Sequence, residues 1–301
     1  MVAATVEPHW RWATVGYEIM ILVFGKTGQV ATELQRLDDV VALGRDLVDL
    51  SNPVACADAI CTHSPRALIN AAAYTAVDKA EEEEALAARI NGAAPTAMAQ
   101  ACAVLGIPLI HISTDYVFAG TGDAPWLPDD PTAPQNAYGR SKLAGEAGIR
   151  DSGATHAILR TSWVVSAHGS NFVKTMLRLS ETRDGLDIVA DQIGGPTPAR
   201  DIAAACLQMA EQLIADPSKS GTYHYSGAPD VSWANFARAI FEQAGKAVTV
   251  TSVPTTDYPT PAKRPLNSRM DCGATQQAFG MARPNWRNGL NMILQELEDS
   301  K

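Results

Sequence analysis

The sequence predicts an α/β fold, a Rossmann-type doubly wound parallel sheet with a smaller C-terminal α/β lobe. Three observations support this prediction. Apolar runs of strand length alternate with helical stretches in the first half of the chain, a Gly-rich turn follows the first run, and the alternation loosens after about residue 165. Continuous apolar runs suit strands that are buried on both faces of a parallel sheet, and βαβ units connect such strands.

The first half of the chain alternates strictly. The predicted strands span residues 19–24, 40–43, 67–70, 108–113 and 157–160, and the first of them reads IMILVF. The predicted helices are one that follows the Gly-rich turn and carries Leu34 and Leu37, and further ones over 53–63, 79–105 and 138–149. Short connections between these elements favour one compact sheet.

The second half is less regular and predicts a separate lobe. Helices are expected over 171–181, 199–215 and 232–244, with a strand over 187–190 and a Pro-rich loop over 252–266. Loops of that length inside a compact chain are usually functional. We therefore expect a loosely ordered extension over 1–18, a first domain over 19–165 built on the parallel sheet, and a second lobe over 166–301, segments of which return to the first sheet.

Composition excludes several classes of protein. The net charge of -9 argues against nucleic acid as a partner, and the longest apolar runs are too short to span a membrane. The five cysteines are an odd number and include no Cys-x-x-Cys pair. They are expected to be free buried thiols, as in the reducing cytoplasm.

The Gly-rich turn is the first candidate site. Gly25-x-x-Gly28-x-x-Ala31 follows a strand and opens a helix, so the backbone of Gly25, Lys26, Thr27, Gly28, Gln29 and Val30 could approach a pyrophosphate. The N-terminus of the helix adds free amides and a positive dipole end. The pattern predicts dinucleotide binding, and an ordinary tight turn is the alternative.

Residues that follow the next two strands extend this candidate site. Arg45 could pair with a 2′-phosphate or be a solvated loop cation, and Asp49 could contact a cofactor or cap a turn. After the third strand, the small side chains of Asn70-Ala71-Ala72-Ala73-Tyr74-Thr75 would let a ligand lie close to the backbone. Close packing of a helix on the sheet would explain them equally.

Two further strand ends carry polar or aromatic residues. Ligands of open α/β sheets bind outside the carboxyl ends of strands. The Thr114 hydroxyl, in Ser113-Thr114-Asp115, could hydrogen-bond a substrate carbonyl or cap the strand. Trp163, in Arg160-Thr161-Ser162-Trp163, could cover a sugar or a nicotinamide, or belong to the core.

A Tyr–Lys pair predicts the chemistry. Tyr138 and Lys142 are four residues apart and share one face of a helix. A phenol has a pKa of about 10, and a fixed ammonium beside it would lower that pKa. The pair could then pass a proton to or from a carbonyl oxygen. Exposed helix surface is the alternative for a pattern this common.

Other catalytic classes find no support in the sequence. None of the six histidines has metal-ligand spacing, and His111 lies inside an apolar strand, where it is expected to be a hydrogen-bonded core residue. The order of Ser, His and Asp does not suggest a hydrolase. The Gly-rich turn lacks the Gly-Lys-Ser/Thr ending of a P-loop.

Taken together, these segments resemble the extended short-chain dehydrogenase/reductases and, within them, the dTDP-4-dehydrorhamnose reductases. The resemblance runs from about Met20 to the end of the chain. Besides the segments above, it rests on Asn171-Phe172, Asp191-Gln192-x-Gly194-x-Pro196-Thr197 and Arg264-Pro265-x-Asn267-Ser268.

The resemblance implies a reaction and a set of roles. It implies an NADPH- or NADH-dependent oxidoreductase that reduces the 4-keto group of a dTDP-linked sugar, with the second lobe binding the sugar nucleotide. Tyr138 would donate the proton, Lys142 would hold the nicotinamide ribose, and Thr114 would bind the keto oxygen. Asp115 and Trp163 would touch the substrate. The cofactor site would comprise the Gly-rich turn with Arg45, Asp49, Leu50, Ala72, Ala73, Tyr74, Thr75, Tyr138 and Lys142.

The resemblance also leaves points open. Val165 stands where many members have Tyr, and Ala31 replaces a third glycine. Some relatives bind Mg²⁺ through acidic residues at a dimer interface, but no spacing here shows such a site. A homodimer and a cytoplasmic location are expected. The alternatives are a reductase, epimerase or dehydratase that acts on another sugar nucleotide, and a non-catalytic NADP-binding regulatory subunit.

Overall fold

The computed structural model of the protein describes residues 21–300. The expected extension over 1–18 lies outside the described residues. The strands, in chain order, are β1 (Ile21–Phe24), β2 (Val40–Leu43), β3 (Ala67–Asn70), β4 (Leu109–Thr114), β5 (His156–Thr161), β6 (Val164–Val165), β7 (Gly185–Val189), β8 (Ile193–Gly194), β9 (Thr197–Pro198), β10 (Gly221–His224), β11 (Val231–Ser232), β12 (Thr249–Val253) and β13 (Asn267–Ser268).

The helices alternate with the strands in the first half and predominate in the second. They are α1 (Gln29–Leu37), α2 (Pro53–His63), α3 (Glu84–Ala88), α4 (Ala94–Leu105), α5 (Ala137–Asp151), α6 (Phe172–Ser180), α7 (Ala199–Ala215), α8 (Trp233–Gln243), α9 (Gly273–Phe279) and α10 (Trp286–Asp299). In the described range, none of them is long and apolar enough to cross a membrane.

Six parallel strands form the central sheet, in the order β10-β5-β4-β3-β1-β2. This confirms the predicted α/β class and doubly wound sheet. The chain passes from β1 to β2 on one side, then crosses to β3 on the other side of β1. Ligands bind where the strand order reverses in this way, so the topology predicts a ligand site at the carboxyl ends of β1 and β3.

Each face of the sheet carries its own apolar core. Val23 points to the face covered by α1 and α7, where Leu34 and Met209 are fully buried. Leu22 points to the opposite face, against Met98 of α4. Because neighbouring residues of β1 serve different cores, the strand is apolar without alternation.

A third core belongs to the second lobe, in which α6, α8 and α10 pack around β7 and β12. Val173, Phe236, Trp286 and Leu290 are all essentially inaccessible to solvent. Val165 also packs here, which removes its side chain from the end of the central sheet. The second half returns to the sheet as well, through α7 on one face and β10 at the edge.

The helix expected over 79–105 is interrupted. It consists of a 3₁₀ turn, Lys79–Glu81, then α3, a π-helical segment, Arg89–Ala93, and α4. Pro95 lacks the N–H that would continue the regular ladder, which favours a wide turn at this point. The Asn91 carbonyl is thereby brought against α5, where a Cβ on Gly145 would overlap it.

The other differences are smaller. Part of the loop expected over 252–266 is the end of β12 and a 3₁₀ turn, Thr255–Asp257, and the strand expected over 187–190 begins at Gly185. All five cysteines are free, but Cys61 is exposed rather than buried as expected.

Candidate active site

A cleft of about 1020 Å³ runs along the carboxyl ends of β1, β3, β4 and β5. It brings together nearly all the site residues predicted from the sequence: Gly25, Lys26, Thr27, Gly28, Gln29, Val30, Arg45, Asp49, Leu50, Ala72, Ala73, Thr75, Thr114, Asp115, Tyr138, Lys142 and Trp163. Residues that are distant in sequence therefore share one cavity, as the strand order requires.

The Gly-rich turn has the shape of an anion cradle. Gly25 has a φ of +112°, a region that favours glycine, and lies against the Ala71 backbone. Gly28 is the N-cap of α1, and it faces open space in which a Cβ would meet nothing within 4 Å. No side chain in residues 21–300 caps this helix N-terminus. Free amides at the positive end of a helix dipole suit a pyrophosphate.

The residues after β2 line the far end of the cleft. Arg45 is exposed there, and its guanidinium can reach into solvent or a ligand. Asp49 lines the cleft but also accepts a 2.8 Å hydrogen bond from the Ser51 amide. Hydrogen bonds from Ser51 lower the pKa of Asp49. Asp49 thus performs the turn role that the sequence allowed as the alternative.

Tyr74 does not line the cleft, although it was predicted to contact the cofactor. Its hydroxyl donates a 2.8 Å hydrogen bond to Glu83, and its amide donates to Asn91. The side chain is held by Glu83 and packs with Ala80, Ala87 and Ala137. Ala72, Ala73 and Thr75, in contrast, face the cleft.

Thr114 and Tyr138 both line the cleft, and each is held in place by its neighbours. Thr114 ends β4; its hydroxyl donates to Asp115 at 3.1 Å and accepts from the Tyr116 amide at 3.2 Å. Tyr138 is in the first turn of α5, and its ring packs edge-to-face on Tyr116, with centroids 5.5 Å apart. The N-cap Asn136 accepts from the Gly139 amide at 2.8 Å and fixes the start of the helix.

The expectation that Lys142 lowers the Tyr138 pKa is wrong, because Lys142 is not among the groups that shift it. Burial raises the Tyr138 pKa to about 12, with hydrogen bonding to Thr114 opposing the rise and the charge of Asp115 adding to it. Burial also lowers the Lys142 pKa to about 8. Within the described chain, no hydrogen bond joins the two. Lys142 Nζ instead contacts the Ile112 carbonyl at 2.7 Å and His111 Nε2 at 3.1 Å.

Polar and aromatic side chains form the wall beside Tyr138. Burial raises the Asp115 pKa to about 6, against hydrogen bonds from Ser268 and Thr114. In the described range, Asp115 Oδ2 and Thr161 Oγ1 are buried without a partner, and both residues line the cleft. Unpaired buried polar atoms at a cavity wall indicate places that a ligand satisfies.

Trp163 is partly exposed at this wall and stacks on Trp233, with ring centroids 3.5 Å apart and planes inclined by 10°. Its φ of +50° is rare for a non-glycine residue. Sequence reasoning missed Trp233, because it begins a helix of the second lobe and no spacing links it to Trp163.

A cluster outside the cleft was not visible in the sequence spacing. Glu33, His168 and Glu296 place ligand atoms within 4.8 Å of one another. The Arg36 guanidinium occupies the cluster, 2.7 Å from Glu296 and 3.0 Å from His168, and His168 is 3.0 Å from Glu33. Mg²⁺ prefers an octahedral shell of oxygen atoms, so this donor set, filled by a cation, does not fit it.

Comparison with known proteins places the whole fold in one family. The family model described as RmlD substrate binding domain matches residues 19–299. The dTDP-4-dehydrorhamnose reductase of Sinorhizobium fredii is 43% identical over 284 residues, which cover 91% of this chain and 96% of the relative. The enzyme of the same name from Escherichia coli is 43% identical over 291 residues, 92% of this chain and 97% of the relative.

Solved structures of enzymes with the same name also have the same fold as this chain. The dTDP-4-dehydrorhamnose reductase of Clostridium acetobutylicum superposes with a TM-score of 0.86 at 35% identity, over 93% of this chain and all of that chain. The Bacillus anthracis enzyme, solved in complex with NADP, gives 0.85 at 35% identity, over 92% of this chain and 99% of that chain.

Proposed function

Because the chain belongs to the RmlD family of dTDP-4-dehydrorhamnose reductases, we propose that it reduces the 4-keto group of dTDP-4-dehydro-L-rhamnose to give dTDP-L-rhamnose, with NADPH or NADH as reductant. One observation carries the proposal: a single cleft holds an anion cradle, a Tyr–Lys pair and a strand-end threonine. An exposed Tyr–Lys pattern would leave Lys142 in solvent, whereas it is 1% exposed.

The residues of the cleft have separable roles. A bound nicotinamide cofactor would supply the hydride. Thr114 would donate a hydrogen bond to the keto oxygen, and Tyr138 would give its proton to that oxygen as negative charge develops there. Since the Tyr138 pKa is raised to about 12, the phenol carries its proton at neutral pH and is ready to act as the acid.

Lys142 and the Gly-rich turn would hold the cofactor. Lys142 Nζ lies beneath the cleft and would reach the nicotinamide ribose, and the α1 N-terminus would bind the pyrophosphate. The exposed Arg45 would favour NADPH by pairing with a 2′-phosphate. Asp115, Thr161 and Trp163 would contact the sugar nucleotide.

The alternatives differ in net chemistry. Related dehydratases carry Asp-Glu after the catalytic Thr, whereas Thr114 is followed by Asp115-Tyr116. An epimerase or dehydratase returns its cofactor unchanged, and a regulatory subunit turns nothing over. The expected homodimer and cytoplasmic location stay predictions.

The test is a turnover assay that follows NADPH absorbance with a panel of 4-keto sugar nucleotides. We expect one NADPH to be consumed for each dTDP-L-rhamnose formed, and slower reaction with other bases or sugars. Product formation without net NADPH oxidation would favour an epimerase or dehydratase. Cofactor binding without turnover of any substrate would favour the regulatory subunit.

A further inference from the structure

A chain of buried hydrogen bonds leads from the cleft wall to Lys142. The Ala72 amide donates to Asn70 Oδ1 at 3.2 Å, and Asn70 Nδ2 lies 3.0 Å from His111 Nδ1. His111 Nε2 is 3.1 Å from Lys142 Nζ, which donates to the Ile112 carbonyl at 2.7 Å. Asn70, His111 and Lys142 are each at most 1% exposed.

The sheet register explains why these side chains meet. Asn70 of β3 is the register partner of His111 in the neighbouring parallel strand β4. Register partners point to the same face of a sheet, and α5 covers that face with Lys142. The proposed reductase reaction uses the lysine alone, so the other two side chains have no role in it yet.

Counting donors and acceptors fixes the protons. A neutral imidazole has one N–H donor and one acceptor nitrogen, and burial, the main cause, holds the His111 pKa well below its usual value. The Ala72 amide fixes the Asn70 oxygen, so the Asn70 NH₂ faces His111 Nδ1, which must accept. His111 Nε2 then carries the proton and donates to Lys142.

A nitrogen that accepts this bond needs a lone pair, which a neutral amine has and an ammonium lacks. If His111 Nε2 instead accepted from an ammonium, Nδ1–H would face the Asn70 NH₂. Two N–H donors would then face each other. To avoid this, the Asn70 amide would have to rotate and lose its hydrogen bond from the Ala72 amide. The charge of Lys142, the His111 tautomer and the Asn70 orientation are therefore coupled.

We propose that Asn70 and His111 are positioning residues for Lys142: their hydrogen bonds hold its nitrogen beneath the cleft and favour its neutral amine form in the cofactor-free protein. The catalytic relevance of this arrangement rests on the proposed reductase function. Ala72 lines the cleft. The hydrogen-bond chain through Asn70 and His111, here called the relay, therefore connects the wall that a cofactor would touch to Lys142.

The other charged groups near Lys142 either oppose its neutral amine form or do not affect it. Glu146, one turn along α5, raises the Lys142 pKa, but burial outweighs it. The Glu146 carboxylate is bonded to Arg160 of β5 and to Ser113 of β4. Asp115, in the 3₁₀ turn that follows β4, raises the pKa of Tyr138 rather than that of Lys142. The neutral Asn91 side chain is bonded to Ser141 and to the Tyr74 backbone.

The first experiment reads the tautomer directly and needs no activity. We would record ¹⁵N spectra of histidine-labelled, cofactor-free protein between pH 7 and 9, with the His111 signal assigned by its loss in His111→Gln. We expect His111 to carry its proton on Nε2, with Nδ1 as acceptor. In Asn70→Asp, the new carboxylate should accept from Nδ1–H, so the tautomer should invert. Protonation of Nδ1 in the wild type would overturn the proposal.

The second experiment measures the Lys142 pKa by NMR of ¹³Cε-labelled lysine, with Lys142→Met for assignment. Asn70→Ala adds no charge but frees His111 to accept from an ammonium, so the Lys142 pKa should rise by about one unit, and the alkaline limb of the turnover profile should shift with it. An unchanged pKa in folded Asn70→Ala would refute the coupling. If His111 shows the expected tautomer but the protein reduces no keto sugar, the hydrogen-bond proposal stands and the proposed reductase function is refuted.

Discussion

Gly139 is the position at which helix α5 packs against the turn that follows β4, Asp115–Val117, and Gly139→Ala should therefore reduce turnover specifically. A Cβ at this position would overlap the Tyr116 carbonyl oxygen and lie 3.0 Å from Pro134 Cβ. The obstacle is backbone, which cannot rotate away. An ordinary carbon–oxygen contact of about 3.3 Å could be restored only if the start of α5 moved by roughly 1 Å.

That movement would separate Tyr138, which precedes Gly139, from Thr114, which ends the strand before Tyr116. A misplacement of about 1 Å can cost roughly 10²-fold in rate, and overpacking costs about 1–3 kcal/mol of stability. We expect turnover of the folded variant to fall by about that factor at saturating NADPH and keto sugar, with a lower melting temperature.

Gly148→Ala is the matched control on the same helix. There a Cβ would meet only the Thr96 side chain, far from the cleft. The control should lose stability to a similar degree and keep its turnover within about threefold, roughly 0.7 kcal/mol. Equal turnover losses in both variants, or wild-type turnover in folded Gly139→Ala, would refute the claim that this contact sets the distance between Tyr138 and Thr114.

Three further changes test separate parts of the structure. Arg45→Ala should raise the KM for NADPH by roughly two- to fivefold, the effect expected of an exposed ion pair, and leave that for NADH; equal effects would make Arg45 a solvated loop residue. Trp163→Ala, which removes the stack on Trp233, should weaken the sugar nucleotide while the NADPH Kd stays within about threefold; loss of both ligands with lower stability would mark a core residue. Burial lowers the His224 pKa to about 4, so the unfolded state takes up this proton first as the pH falls below 6.5, and stability is lost between pH 6.5 and 4. His224→Asn keeps a donor for the Trp126 carbonyl and should reduce this loss, measured by urea unfolding, by about 3 kcal/mol; an unchanged acid profile would contradict the assignment.

The strands and the cleft were predictable because their signals are local. Each apolar strand of the central sheet, such as Ile21–Phe24, is followed by small or polar residues that line the cleft, and parallel strands place those ends together. The edge strand β10 and the helix α10 were missed, although Trp286, Leu290 and Leu294 of α10 repeat at helical spacing. The edge strand GTYH carries no apolar run to mark it.

What the sequence could not predict depends on burial and on distant partners. A Tyr–Lys spacing gives no measure of desolvation, so the direction of the Tyr138 pKa shift came out wrong. The Tyr74 hydroxyl is bonded to Glu83, and the residue does not line the cleft. Trp163 stacks on a residue 70 positions later. The His111 prediction was confirmed, since the residue is buried and hydrogen-bonded, but the sequence did not show that Asn70 and Lys142 are its partners.

Tyr138→Phe tests the central claim most directly. The change removes one hydroxyl and keeps the ring that packs on Tyr116, so folding and NADPH binding should persist. Loss of a positioned general acid typically costs about 10²–10⁴ in rate. In a single-turnover reaction of enzyme, NADPH and dTDP-4-dehydro-L-rhamnose, we expect NADPH oxidation to slow by about that factor, with the NADPH Kd within about threefold of the wild type. Wild-type oxidation rates in Tyr138→Phe would contradict the role of Tyr138 as the proton donor.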